Sequence, residues 1–131
     1  MIKFTAPAKK LYCEKCKDFV DYKIVEKRDT YKVRADEIEI DAKIAFCSNC
    51  GSELLDIYLE NENLKRAFRI YAEKHGLVLP EKIKNIREKY ALNQELFAKA
   101  LGIEKATIER YENGSLPSKA HSDLIRSIFP V

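Results

Sequence analysis

Glycine, proline, histidine and cysteine are all scarce in this 131-residue chain, which holds four, four, two and four of them. So little glycine leaves no Gly-rich loop to cradle a phosphate, and there is no low-complexity linker. Two isolated histidines supply no Ser-His-Asp or Cys-His set, and no carboxylate pair is placed by more than chance, so catalysis finds no support and the chain is expected not to be an enzyme. No stretch approaches the roughly 18 apolar residues of a membrane span. Met1 to Pro7 lack the apolar core and small-residue cleavage site of a secretory leader. These absences point to a soluble, cytoplasmic, reduced protein with no membrane partner.

What is there is concentrated in the cysteines. All four lie in two Cys-x-x-Cys knuckles, Cys13-Glu14-Lys15-Cys16 and Cys47-Ser48-Asn49-Cys50, the second followed by Gly51. Two intervening residues let both sulfurs of a knuckle turn toward one point, and two knuckles together supply the four tetrahedral thiolates that Zn²⁺ prefers. A thioredoxin-like redox pair would need a βαβ pattern around it, and disulfides an oxidising compartment. The expectation is therefore one structural Zn²⁺ held by Cys13, Cys16, Cys47 and Cys50. Four protein ligands leave no position for a metal-bound water, so the metal is scaffold and function lies elsewhere. His75 and His121 read as a helix-end residue and a partly packed one rather than as ligands.

Charge and composition divide the chain. Residues 1–60 carry 11 Lys and Arg against 12 Asp and Glu, whereas residues 61–131 carry 13 against 9. A tetrathiolate zinc makes the first part still more negative, leaving the second as the candidate partner of phosphate. The expected division is a zinc-binding β domain at 1–60, a connecting helix at 61–78 and a helical domain at 79–131. A domain of about 60 residues is near the size at which an apolar core alone is marginal, so a metal staple fits the first part.

Alternation marks strands between the knuckles. Ile38, Ile40, Ala42, Ile44 and Phe46 alternate with Glu37, Glu39, Asp41, Lys43 and Ala45. Val20, Tyr22 and Ile24 alternate likewise, and Tyr31 with Val33 suggests a short third strand after a turn at Arg28-Asp29-Thr30. From Asn61 the period becomes helical, with Leu64, Ala67, Phe68 and Tyr71 on one stripe and Gly76 as the stop. Lys65, Arg66, Arg69 and Lys74 lie off that stripe as a solvated face. Four short helices follow. Pro80 opens one carrying Ile83, Ile86 and Tyr90; Asn93 caps one carrying Leu96, Phe97 and Ala100 before Gly102. Ile108 and Tyr111 mark the third, before Gly114, and a fourth runs from about Ser118 with His121, Leu124, Ile125 and Ile128. The fold class is α+β: a small antiparallel β zinc domain, then an all-α domain.

Within the helical half, Ala98 is small where two helices must cross, Gly102 permits a left-handed turn, and Ile103 and Ile108 plug the angle between them. The stretch from Ile83 to Ile103, continued by Thr107-Ile108-Glu109-Arg110-Tyr111-Glu112-Asn113-Gly114, resembles the Cro/repressor (Xre) helix-turn-helix family. That resemblance implies a recognition helix at 104–112 lying in the DNA major groove, with Lys105, Ala106 and Arg110 at reading positions. Arg110 can contact guanine bidentately and Ala106 a thymine methyl. Gln94 and Asn113 match phosphate-holding positions, and Thr107 a phosphate or base-edge contact. Arg87 and Glu112 match a structural ion pair between the first helix and the end of the recognition helix. Glu104 stands where the family has a Ser or Thr cap, and Glu109 adds a second negative charge near phosphate.

The whole chain, in this order, resembles the MqsA/YgiT-type antitoxins of toxin–antitoxin pairs. The resemblance implies a homodimer that represses its own operon at a palindromic double-stranded DNA operator. It also implies a protein toxin, usually an mRNA-cleaving ribonuclease, bound by the zinc half, for which Tyr12, Phe19, Tyr22 and Tyr31 are candidate contacts. A free-standing phage or bacterial transcription regulator with a structural zinc domain and no toxin is the competing expectation. An RNA-binding or redox-active zinc ribbon is disfavoured by the negative balance of residues 1–60.

Overall fold

The computed structural model describes residues 6–130, so the leader reading made on Met1 to Thr5 lies outside the described residues. Ten elements follow one another: β1 (Leu11–Cys13), β2 (Asp18–Val20), β3 (Tyr22–Val33), β4 (Asp36–Cys47), β5 (Glu53–Leu54), α1 (Ile57–His75), α2 (Pro80–Lys89), α3 (Gln94–Leu101), α4 (Lys105–Glu112) and α5 (Lys119–Ile128). The chain divides into two compact units, Met1–Ala67 and Phe68–Val131, with α1 beginning in the first and ending in the second. Among the described residues, no helix is long and apolar enough to cross a membrane.

The first unit holds two small antiparallel sheets, β1 with β2 and β3-β4-β5 in that order. The expected turn at Arg28-Asp29-Thr30 and the separate strand at Tyr31 and Val33 are corrected. β3 runs unbroken from Tyr22 to Val33, paired along its length with β4, and the chain reverses instead after Val33, where Arg34 takes a left-handed φ of 54°. Most of β3 faces solvent and carries little apolar alternation. Its extended form comes from the ladder to β4 rather than from its own pattern.

β4 buries Ile38, Ile40 and Ala42 as the alternation predicts, then changes phase and buries Ala45 and Cys47. Its final turns of pleat face the small core of Leu11, Val20, Leu54 and Leu59 around the cysteines. Ile44 and Phe46 are only partly covered.

The connecting helix starts at Ile57, four residues before the expected Asn61. Asp56 precedes it and accepts from the Tyr58 amide at 3.4 Å. Leu59, Asn63, Ala67 and Tyr71 form its buried stripe, one residue per turn. Asn63 is the exception in kind, being polar and 1% exposed. Its Oδ1 accepts from the Lys43 amide and its Nδ2 donates to the Lys43 carbonyl, both at 2.9 Å. A single side chain thus reproduces a strand neighbour's pair of bonds where β5 no longer covers β4.

In the second unit α2 to α5 enclose Val78, Ile83, Ile86, Phe97, Ala98, Leu101, Ile108, Tyr111, Ile125 and Phe129. Leu96 and Ala100, expected on the apolar stripe of α3, are exposed, and Ala98 and Leu101 take their places beside Phe97. Tyr90 is also largely out of the core, its hydroxyl donating to the Pro130 carbonyl at 2.6 Å. Ser122 is fully buried and its Oγ accepts from the Val78 amide at 3.1 Å, tying the segment before α2 to α5.

Two substitutions probe these buried polar links. Asn63→Ala leaves both Lys43 backbone groups without their partner and should destabilise the first unit by about 1–3 kcal/mol. Arg87 and Glu112, whose side chains are 13% and 6% exposed, make two 2.8 Å bonds, Nε to Oε2 and Nη2 to Oε1, while Arg87 Nη1 donates to the Leu92 carbonyl at 2.9 Å. Arg87→Ala strands the glutamate and should cost the second unit about 3–5 kcal/mol in denaturant unfolding.

Candidate functional site

Cys13 ends β1 and Cys47 ends β4, so two separate sheets each deliver one cysteine of a knuckle at a strand terminus. Cys16 and Cys50 follow in tight turns closed by the Lys17 amide on the Cys13 carbonyl at 2.7 Å and the Gly51 amide on the Cys47 carbonyl at 2.9 Å. The two knuckles share one backbone geometry. Gly51 takes a left-handed φ of 75°, and Lys17, at the same place in the first knuckle, takes 55°. A side-chain-bearing residue held there spends conformational energy that glycine does not.

All four sulfurs lie within 4.8 Å of one another, with Cys13 to Cys50 at 3.5 Å and Cys16 to Cys47 at 3.8 Å. Backbone amides of Asn49 and Cys50 approach Cys47 Sγ at 3.4 and 3.5 Å. Ser52, which sequence reasoning missed, has its Oγ 3.1 Å from Cys50 Sγ. The Ser52 hydroxyl and then its backbone amide lower the Cys50 thiol to about 6. Cys16, hydrogen-bonded first to Cys50 and desolvated second, is pushed up to about 12. Without a cation one sulfur ionises easily and another keeps its proton, because the hydrogen bonds among these groups favour the thiolate at Cys50 and the thiol at Cys16. A divalent metal removes that conflict, and four soft donors at this spacing suit one structural Zn²⁺. Cys13, Cys16, Cys47 and Cys50 would hold it and close its coordination sphere, so it supplies shape rather than Lewis acidity.

The aromatic residues near the knuckles separate into two kinds. Tyr12 and Phe19 stand opposite each other on β1 and β2, both exposed, their rings edge to face at 5.6 Å. Tyr22 packs against the cysteine core and donates to the Ala8 carbonyl, while Tyr31 donates to Glu60 Oε2 at 3.2 Å. Leu55 and Ile57 add exposed apolar surface that the sequence reading did not single out.

In the second unit Asn93 caps α3 by accepting from the Leu96 amide at 2.8 Å, and Gly102 ends it at a φ of 68°. The Ile103 amide returns to the Ala98 carbonyl at 3.0 Å, which turns the chain directly into α4. Glu104 precedes α4 with no side-chain cap bond. Lys105, Ala106, Arg110 and Asn113 are exposed, Gln94 and Thr107 partly so. Arg110 Nη2 donates to Thr107 Oγ1 at 3.3 Å, one turn back on the same helix. Lys105 and Glu109 pair at 3.8 Å, leaving Glu109 engaged with a cation of its own helix. Tyr111 and His121 are joined at 2.5 Å through the hydroxyl and Nδ1, which clips α4 to α5.

Stripping the metal separates the two halves energetically. A strong chelator at neutral pH should abolish the cooperative unfolding transition of the first unit, while helical circular dichroism retains a melting transition belonging to the second. Acidification should act in the same direction, since protons compete with the metal for four thiolates.

No curated protein matches the chain. The model of the family described as the antitoxin component of the bacterial toxin–antitoxin system, MqsA, matches residues 10–128. That span takes in both cysteine knuckles and the five helices, nearly all of the described protein, and with it the chain belongs to the MqsA antitoxin family.

Proposed function

We propose that this antitoxin works with two separate instruments: the zinc unit binds and neutralises a protein toxin, an mRNA-cleaving ribonuclease, and the helical unit represses the antitoxin's own operon as a dimer on a palindromic operator. The observation that supports the second part most directly is the row of exposed side chains along α4, with Arg110 free to leave its intrahelical bond to Thr107 for a base edge. In this reading α4 enters the major groove. Arg110 reads guanine, Ala106 meets a thymine methyl, Lys105 and Thr107 flank them, and Gln94 and Asn113 hold phosphates. The Arg87–Glu112 pair keeps α2 and α4 at a fixed angle, so that base contacts and phosphate contacts stay in register.

The division of charge supports the same assignment of tasks. Residues 61–131 carry the positive surplus that phosphate requires, and residues 1–60 with a tetrathiolate metal do not. No catalytic step is assigned to either unit. The competing regulator without a toxin shares all of the DNA chemistry and differs only in the partner of the first unit. Expression of the neighbouring reading frame decides between them: growth arrest relieved by this chain through a stable complex supports the antitoxin arrangement.

Arg110→Ala should relax operator preference at one base pair per half-site, by about 1–3 kcal/mol of discrimination, in a binding assay against single-base operator variants. Wild-type binding should also fall steeply with salt. A uniform loss over all sequences would reassign Arg110 to phosphate.

A further inference from the structure

One charge at the head of α4 has no task inside the molecule. The Glu104 carbonyl accepts from the Thr107 amide at 3.0 Å and the Ile108 amide at 3.3 Å, which fixes the residue at the entrance to α4 with an extended backbone, φ −68° and ψ 144°. Asn93 and Ser118 hold the same place before α3 and α5, and each turns its side chain back onto its own helix to accept from the Leu96 and His121 amides. The Glu104 side chain makes no such bond. It is exposed and joins no hydrogen bond or ion pair among the described residues, while the ammonium of adjacent Lys105 pairs with Glu109 at 3.8 Å.

A free carboxylate is costly in that place. The first residues of a recognition helix are those that approach the base edges, and there Glu104 meets the field of the phosphates with no cation of its own to offset it. An N–H donor on a base edge compensates it, and the major groove offers few. Guanine presents O6 and N7 and thymine presents O4, all acceptors that repel a carboxylate. Adenine sets its N6 amino group beside the N7 acceptor, so one carboxylate oxygen gains a bond while the other faces a lone pair. Cytosine alone presents an amino group, at N4, with no acceptor beside it on the same base.

We infer that Glu104 is a further base-reading residue, which accepts from cytosine N4 at one C·G pair of each operator half-site and weakens binding wherever another base stands there. The inference rests on the DNA-binding reading above and adds the base that this position, a departure from its family's Ser or Thr, selects. Arg110 reads through donors and Glu104 through an acceptor, so the two residues ask for different bases. A glutamate at a helix start also favours the helix dipole, but that purely structural effect alters melting and leaves base preference untouched.

The test puts the full-length zinc-loaded chain and its Glu104→Gln and Glu104→Ala variants through selection on a random-sequence duplex library. Affinities for the selected duplex, its single-base variants and a mixed-sequence duplex are then measured at one salt concentration. The wild type should select cytosine at one position of each half-site and lose roughly 10-fold or more in affinity when that base is changed. Glutamine keeps an acceptor and adds a donor, so Glu104→Gln should admit adenine there beside cytosine. Glu104→Ala should take all four bases equally at that position and bind the mixed-sequence duplex more tightly than the wild type does. The same base preference in all three proteins, with or without a change in melting, overturns the proposal and leaves Glu104 to the dipole alone. So does a position that the variants relax but at which the wild type selects a base other than cytosine. If the wild type binds no duplex DNA, the DNA-binding reading itself fails and this inference with it.

Discussion

Convergence of four sulfurs is the constraint on which the first unit depends. A three-residue hairpin pair such as β1 with β2 is too small to stand in water unaided, and β5 contributes only two residues to its sheet. The apolar residues around them, Leu11, Val20, Leu54 and Leu59, are a core of a handful of side chains. A metal bound by Cys13 and Cys16 on one side and Cys47 and Cys50 on the other reinforces the junction of two sheets that otherwise meet in this small core. It also fixes the last residues of β4, and through β4 the long ladder to β3. Removing the ion therefore leaves the two sheets held by a core too small to keep them folded, which is more than the loss of a local decoration.

The second unit solves its problem differently, by burial. Phe97, Ile83, Ile108 and Ile125 are almost wholly enclosed, and a few polar links, one of them from the fully buried Ser122, pin the elements around them. Arg87 with Glu112, Ser122 with Val78, and Tyr111 with His121 each join elements distant in sequence. Because the pieces that hold α4 in place lie on its inner side, its outer residues are released from structural duty. That division lets an exposed arginine be chosen for what it touches outside the molecule.

Much of this was legible in advance, and the reasons are local. Asn93, Gly102, Pro80 and Ser118 each carry out a backbone task that few residues perform, so the helix boundaries of α2, α3 and α5 follow from chemistry at one position. The cysteine spacing gave the metal site for the same reason. What escaped was set by partners distant in sequence. β3 is one unbroken strand because β4 lies beside it, since its middle residues, Glu26 to Thr30, carry no apolar alternation. Asn63 interrupts an apolar stripe with a polar residue whose role appears only once Lys43 is seen against it. Asp56 and Ser52 read as ordinary loop residues until their neighbours are in place, and Leu96 looked like core because a helix of eight residues has room for more than one apolar stripe.

The position of β3 at the margin of its sheet carries a further consequence. Along its outer edge, roughly every second residue of this twelve-residue strand offers a donor and an acceptor that no other described strand takes up. Lys23, Glu26, Lys27, Arg28, Asp29 and Lys32 stud this strand with charge of both signs. A second molecule adding itself edge to edge would have to strip water from these groups and match their order in an antiparallel or parallel register, which a copy of the same strand does poorly. The ribbon is thereby guarded against indiscriminate self-assembly at the high local concentrations of freshly made polypeptide.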